Sequence, residues 1–468
     1  MSDLIKTRFA PSPTGHLHIG GARTAMISWL IAQKLEGQFV LRIEDTDAAR
    51  SKPEYTNSIM NSLDWLSINH SGDPVYQSQR YDRYKAAAQD LVKQGLAYYC
   101  YSTPEDLANE RQAYKDRTGH DGWKYDRKWR DSDQNPPIGV TPVIRLKVPI
   151  DGTVTWNDLT KGGISIPNSQ LDDFIILRSD GSPTYNFCVV VDDSDMAMSH
   201  IIRGDDHINN TPKQIHIYHA LGKKVPVFGH IPLILNIDGS KQSKSSGSTS
   251  VNYYKDMGIL PQAITNYLLL ISCNDIGVEI FTKEQFVELF DLNKLGATPI
   301  KFDLDKLLWI NQQYLKNLSK EDFLVALLPQ INNNEDMGSL DYINTLAQKP
   351  WQYIMPGILE RSKTTNDFKD LVMPVIEWNK SGINQPIVKE AMEYMLSKED
   401  FNPVSIHDDL KQWTEQQGLK FGELMKPLRT HMFPDMKLPI AEVLAFIGKD
   451  ELIESLSLDN SKKSGFKM

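Results

Sequence analysis

The tightest constraint on this 468-residue chain is one punctuated turn near its start. Leu4 to Ala10 reads as a strand that breaks at Pro11-Ser12-Pro13-Thr14-Gly15-His16-Leu17-His18-Ile19-Gly20-Gly21, and a helical pattern follows from about Ala22. Ala22, Ala25, Met26, Trp29 and Leu30 fall on one face of that helix, which stops at Gly37. A second strand, Phe39 to Ile43, follows at once and ends in Glu44-Asp45-Thr46-Asp47. Strand, glycine-rich turn, helix and strand form a βαβ unit, the opening of a parallel nucleotide-binding sheet. Ligands of such a sheet sit at the carboxyl ends of its strands.

The whole chain is long enough for about three domains, or two with a large insertion. From about Tyr98 to Asp180 the pattern changes to a polar helix around Pro104 to Arg117 and short alternating strands bounded by Asp151-Gly152 and Lys161-Gly162-Gly163, the signature of a mixed insertion. The α/β pattern resumes near Tyr185. A Ser/Lys-rich loop follows Asp238-Gly239, the chain is helical from Pro261, and a break at Asn317 to Lys320 opens an all-α C-terminal part. The expected fold class is therefore α/β, with an inserted α+β domain and a helical C-terminal region.

Composition narrows the function classes. With 51 basic against 60 acidic residues the chain carries a formal charge of -9, so a nucleic-acid partner would need a local basic face. Cys100, Cys188 and Cys273 lie far apart and form no CxxC, which disfavours a disulfide framework or a cysteine-rich zinc site and fits a reducing cytoplasm. No oily stretch is long enough to span a bilayer, and the N-terminus lacks a secretory apolar core, so neither membrane insertion nor secretion is expected.

Two motifs carry chemistry. In the first turn, Gly15, Gly20 and Gly21 let the backbone and the helix N-terminus approach a phosphate, and imidazoles at His16 and His18 can donate to its oxygens as charge moves. In Asp238-Gly239-Ser240-Lys241-Gln242-Ser243-Lys244-Ser245-Ser246-Gly247, two lysines three apart can close over a triphosphate and follow charge onto departing pyrophosphate. Alone, the second motif would be a solvated basic turn. Paired with the first, it resembles the HIGH and KMSKS signatures of class I aminoacyl-tRNA synthetases. The runs RFAPSPTGHLHIGG, LRIEDTD, SPTYNF, IIRGDDHINNTP and FDLDKLLWINQQYL are similar to the bacterial glutamyl branch over about residues 7 to 315, with weaker echoes such as Met425-Lys426-Pro427-Leu428-Arg429 beyond.

That resemblance implies a Rossmann-type catalytic domain (1–98 and 185–235), an inserted acceptor-binding domain (99–184), a stem-contact region carrying the lysine loop (236–318) and a helical anticodon-binding domain (319–468). It implies ATP-dependent joining of L-glutamate to tRNA-Glu, with tRNA-Gln an open addition, by a cytoplasmic monomer that takes Mg2+ with its ATP. Residue by residue, it places Arg8, Ser12, Tyr185 and Arg203 around the glutamate carboxylate and Glu44 against the α-amino group. Thr14, His16, His18, Gly20, Asp206 and Lys244 fall on the ATP side, with His18, Lys241 and Lys244 as catalytic residues. Arg361 falls near a position that can meet the third anticodon base. The chemistry agrees: glutamate offers two carboxylates and one ammonium, so its pocket needs guanidinium forks and one acid. Taken singly, Arg8 and Arg203 could be ordinary salt-bridge residues, and Asp206 could cap a helix beginning near Asn209.

Departures from the family pattern are equally legible. Gly21 stands where HIGH ends in histidine, and the lysine loop reads KQSKSSGS without the usual arginine. Where some members hold zinc, only Cys100 of the first ligand pair remains, Ser102 replaces its partner and Trp129 replaces another cysteine, so no structural zinc is expected. Trp123-Lys124-Tyr125-Asp126-Arg127-Lys128-Trp129-Arg130 mixes cations and aromatics in a way that suits a single-stranded RNA end, or else packs its rings inside the insertion and leaves its cations in solvent. Two alternatives stand beside the ligase: the short paralogue that glutamylates queuosine in tRNA, and a non-catalytic tRNA-binding descendant.

Overall fold

β1 (Lys6–Phe9) runs into the glycine-rich turn, α1 (Ile19–Lys34) follows, and β2 (Gln38–Ile43) returns parallel to β1 with Arg8 opposite Val40. This is a computed structural model, and it describes residues 4–236, 238–240, 249–331 and 346–464. The helix starts at Ile19, three residues earlier than its apolar pattern predicts, because His18 caps it: the Gly20 N–H donates to His18 Nδ1 at 3.0 Å. Nor is α1 one-sided. Ile27, Ile31 and even Arg23 and Ser28 are buried with the expected face, since the helix Lys283–Leu289 covers its other flank and the Lys34 ammonium donates to the Glu288 carbonyl at 2.8 Å. Gly37 is obligatory between α1 and β2, because a Cβ there would run into the Ile5 carbonyl.

α2 (Pro53–Trp65) leads to β3 (Val75–Tyr76), which adds in parallel to β2, and α3 (Tyr81–Lys93) opens the way to the insertion. There β4 (Ala97–Cys100), α4 (Pro104–Thr118) and β5 (Val143–Leu146) precede the hairpin of β6 (Thr153–Asp158) and β7 (Gly162–Pro167), then β8 (Ile175–Leu177). β4, β5 and β8 form an antiparallel sheet. The end of β6 is tied to the strand that lies ahead in sequence, through the Leu159 N–H to the Phe228 carbonyl at 2.9 Å.

α5 (Tyr185–Asp195), β9 (His200–Gly204), α6 (Thr211–Ala220) and β10 (Val227–Ile231) restore the α/β pattern, with β9 and β10 parallel. The Ser199 N–H donates to the Lys6 carbonyl at 2.9 Å, which sets β9 beside β1. The carboxyl ends of β1, β2, β9 and β10 thus supply one rim, as a parallel nucleotide-binding sheet requires.

By contact density the chain divides into two compact units, Met1–Tyr253 with Thr265–Asp303, and Tyr254–Ile264 with Leu304–Met468. The second is helical in its described residues and is built around Trp351, which is fully buried against Phe323 and Phe446 and donates its indole N–H to the Leu346 carbonyl at 2.8 Å. Truncating so large a side chain leaves a cavity and an orphaned acceptor. Trp351→Ala is expected to destabilise this unit by about 3 to 5 kcal/mol, read as a lower urea midpoint for its unfolding transition.

Candidate active site

A cavity of about 810 Å³ opens at that rim. Its wall gathers Arg8 from β1, Ser12, Thr14, His16, His18 and Gly20 from the turn, Glu44 from the end of β2, Tyr185 from the start of α5, and Arg203 and Asp206 from the end of β9 onward. Lys241 and Lys244 lie outside the described residues. The chain on either side of them does not: Thr249 and Ser250 line the cavity, Ser250 bridges to His18, and the Val251 N–H donates to the Leu17 carbonyl at 2.8 Å. The chain just downstream of the lysine loop, at Ser250 and Val251, is therefore fastened to the glycine-rich turn. Arg361 closes the helix Met355–Arg361 in the other unit, half-exposed, and donates to the Gly357 carbonyl of its own helix.

Beneath the cavity runs a buried charge network. Arg8 Nε and Nη2 face the two carboxylate oxygens of Asp193 at 3.3 and 3.5 Å, and Arg8 Nη1 donates to the Ile202 carbonyl. Arg42, fully buried, donates through Nη1 to the same Asp193 and through Nη2 to Glu44 at 3.2 Å. Burial pushes the Asp193 carboxyl up, but Arg42 and Arg8 outweigh it and hold the group below the usual carboxylate range. For Glu44 the balance reverses: burial raises it more than Arg42 and Arg8 lower it. Arg8 thus lines the cavity and is also a salt-bridge residue, with Nε and Nη2 turned to Asp193.

Arg203 differs. Its Nε donates to His230 Nε2 at 3.1 Å, Nη1 to Gln214 Oε1 at 2.8 Å and Nη2 to Thr211 Oγ1 at 2.9 Å. All three acceptors are uncharged, and among the described residues no carboxylate forms an ion pair with it, so burial lowers its pKa. A guanidinium has five N–H groups; three are used, leaving one on each Nη. Arg23 is a second buried cation on the cavity wall, paired with Ser272 Oγ at 2.8 Å and the Pro232 carbonyl at 2.7 Å, and burial lowers it to about 10.

The opposite side of the cavity is set by the glycine-rich turn. Because His18 Nδ1 accepts from Gly20, its other ring nitrogen, Nε2, carries the proton of the neutral ring. His16 Nδ1 meets Ser58 Oγ at 2.8 Å and its ring stands edge-on to Tyr55 at 5.4 Å. A Cβ at Gly21 would lie 3.1 Å from Leu17 Cδ1 and 3.7 Å from Phe9 Cζ, an apolar corner that explains glycine where the class signature has histidine. Asp206 does not cap α6; it lies exposed in a 3₁₀ turn, Asp205–Asn210, that precedes the helix at Thr211. Tyr185 Oη and His207 Nδ1 lie 3.2 Å apart.

The aromatic and cationic segment of the insertion packs rather than projects. Tyr125 is buried with Cys100 and Tyr98, under the Arg145 guanidinium 3.9 Å from its ring. Arg127 and Arg130 both donate to the fully buried Asp173, and Lys128 pairs with Glu110 at 2.9 Å. Among the described residues no group of three or more His, Cys, Asp or Glu side chains is placed to hold a metal ion, and no helix is long and apolar enough to cross a membrane.

Sequence reasoning missed Arg23, Arg42, Asp193, Asp158, His230, Thr211 and Gln214. The signal was a polar residue inside an apolar run, as in Phe39-Val40-Leu41-Arg42-Ile43 or Val189-Val190-Val191-Asp192-Asp193.

Comparison with known proteins follows the same outline. Residues 4–309 match the family of class I tRNA synthetases (E and Q), catalytic domain, and residues 322–457 match an anticodon binding domain family. The chain is 42% identical over 462 residues to a glutamate-tRNA ligase of Nitrosomonas europaea, covering 97% of this chain and 98% of the relative. It is 43% identical over 471 residues to a glutamate-tRNA ligase of Neisseria meningitidis, covering 97% and 99%. A crystal structure of a glutamate tRNA ligase from Elizabethkingia meningosepticum in complex with its amino acid superimposes with a TM-score of 0.80 at 29% identity, covering 97% of this chain and 98% of that one.

Removing one partner from a buried ion network strands the others. Asp193→Asn is expected to cost about 3 to 5 kcal/mol in urea unfolding at neutral pH. Since the folded pKa of Asp193 lies below its unfolded value of about 3.9, the carboxylate stabilises above that pH, and the contribution is lost as pH falls through the folded pKa. The difference in stability between parent and variant should therefore shrink below about pH 4; a constant difference down to acid unfolding would remove the network from the account.

Proposed function

The chain belongs to the class I tRNA synthetases of the E and Q type, and on that premise we propose that it joins L-glutamate to the 3′ end of tRNA-Glu with ATP. The observation that carries this reading is Arg203: a buried guanidinium at the cavity wall, held by three neutral acceptors, with a donor left on each Nη. Such a group favours a ligand that brings its own carboxylate. Arg8, Ser12 and Tyr185 complete that end of the pocket, and Glu44, held by Arg42, receives the α-ammonium.

In the first step the glutamate α-carboxylate attacks the α-phosphate of ATP in line, forming glutamyl-adenylate and releasing pyrophosphate. In the second, the terminal ribose hydroxyl of the tRNA attacks the acyl carbon and releases AMP. No enzyme nucleophile is required; the side chains position reactants and stabilise moving charge. His18 presents Nε2–H toward phosphate oxygens, the N-terminus of α1 adds its backbone donors, and Thr14, His16, Gly20 and Asp206 shape the ATP side. Lys241 and Lys244 are assigned to the β- and γ-phosphates, and the fastening of their loop at Ser250 and Val251 supports that assignment. Mg2+ would enter with ATP, its ligands being phosphate oxygens.

We assign the insertion (99–184) to the acceptor arm, residues 236–318 to the stem and residues 319–468 to the anticodon, where half-exposed Arg361 would contribute to tRNA choice. The match to an anticodon binding domain and the near-complete coverage of the relatives separate this reading from the short queuosine-modifying paralogue. The enzyme is taken to act as a cytoplasmic monomer.

Glutamate-dependent exchange of pyrophosphate into ATP, measured with and without tRNA, tests the reaction: exchange that appears with tRNA supports it, and its absence under both conditions leaves only a binding protein. Arg203→Gln should lower glutamate kcat/KM by about a thousandfold, and Arg203→Lys by less, because Lys keeps the charge and loses the fork. An unchanged KM for glutamate in Arg203→Gln would refute the pocket assignment.

A further inference from the structure

His230 lies on β10, fully buried, between Arg203 and Asp158 at the end of β6. Its Nδ1 is 2.5 Å from Asp158 Oδ2, and its Nε2 faces both Arg203 Nε and Thr211 Oγ1 at 3.1 Å. The proton positions follow from the partners. A carboxylate only accepts and a guanidinium N–H only donates, so Nδ1 carries the hydrogen and Nε2 presents its lone pair. Asp158 cannot turn away, because its Oδ1 accepts from the backbone N–H groups of His230, Thr160 and Lys161 at 3.1 to 3.2 Å. The insertion's hairpin therefore fixes the tautomer of a histidine in the catalytic sheet.

The arrangement solves a particular problem. A buried guanidinium needs compensation, yet a carboxylate laid directly against it would occupy the donors that recognise substrate, as Asp193 does with two nitrogens of Arg8. The imidazole passes the acceptor character of Asp158 to the Nε edge of Arg203 and leaves one N–H on each Nη. Gln214 is itself oriented, through its Nε2 to Asn186 Oδ1 at 3.0 Å, and Arg203 lies over the Phe228 ring with its carbon 5.2 Å from the centroid.

We propose that Asp158 and His230 are positioning residues which, by holding the imidazole with its acceptor toward Arg203, shape that guanidinium into a receptor for a carboxylate and against a carboxamide. The proposal rests on the functional reading above and deepens it. In Asp158→Asn the three backbone donors keep the amide oxygen in the Oδ1 place, so the amide N–H₂ faces Nδ1. The tautomer must then flip, and a new Nε2–H opposes the Nε–H of Arg203.

The test compares Asp158→Asn, His230→Gln and the double variant in pyrophosphate exchange. Asp158→Asn should raise KM for glutamate about 10- to 100-fold, the loss of one hydrogen bond to a charged group. The KM for ATP should stay within about twofold and the preference for glutamate over glutamine should fall, a split that general damage would not produce. Gln at 230 offers an amide oxygen to Arg203 and has no tautomer, so His230→Gln should be milder, and adding Asp158→Asn to it should change KM by no more than about twofold. Multiplicative effects in the double variant, or equal rises in both KM values, overturn the proposal. An independent reading comes from histidine-selective ¹⁵N NMR of the whole protein, with the His230 signals identified by their loss in His230→Gln. The parent should show a protonated Nδ1 and a bare Nε2, reversed in Asp158→Asn; a protonated Nε2 in the parent overturns the proposal even if Asp158→Asn fails to fold. Lack of exchange in the parent would instead overturn the functional reading, and the tautomer result would still stand or fall by itself.

Discussion

One carboxylate, Asp193, is shared by two guanidiniums in a place water does not reach, and the site is arranged around that fact. It joins three elements that the chain makes far apart, since Arg8 lies on β1, Arg42 on β2 and Asp193 on α5. With Glu44 ionised, Arg8, Arg42, Asp193 and Glu44 sum to zero charge, while Arg203 and Arg23 are buried cations on the cavity wall that form no ion pair among the described residues. A wall of that kind favours an anionic ligand.

Much of this could be read before folding. The first βαβ unit was legible because proline and glycine punctuate it and strand and helix periods alternate around them. The family resemblance rested on the same turn and on runs such as IIRGDDHINNTP, and the relatives bear out its reading as a glutamate-charging class I enzyme. What could not be read was tertiary. His18 as a cap moves the helix start back to Ile19, and flanking cover turns α1 from an amphipathic helix into a buried one. Asp158 and His230 are 72 residues apart, and nothing local marks them as partners. The segment from Trp123 to Arg130 left two readings open, and what composition could not show was that Arg127 and Arg130 turn to a buried acid, Asp173, more than forty residues on.

Division of labour follows from these placements. The sheet supplies fixed charge, through Arg8, Arg42 and Arg203 near strand ends; the turn supplies imidazole and backbone N–H donors; and the insertion supplies the hairpin in which the last residue of β6 orients a sheet histidine. A segment read from sequence as an appendage for RNA is thereby also part of the support beneath the cavity wall.

Asp173 has a consequence for how this protein meets a polyanion. Arg127, Arg130 and, through its backbone carbonyl, Arg145 converge on it, with Tyr98 and the Val148 N–H completing its shell. One carboxylate does not neutralise three guanidiniums, but it holds Arg127 and Arg130 inward and takes part of their charge off the surface, so this stretch adds less than its composition suggests to the steepness with which added salt weakens association with a phosphate backbone. On a chain of net charge -9, much of that ionic-strength sensitivity then falls to lysines and arginines elsewhere on its surface.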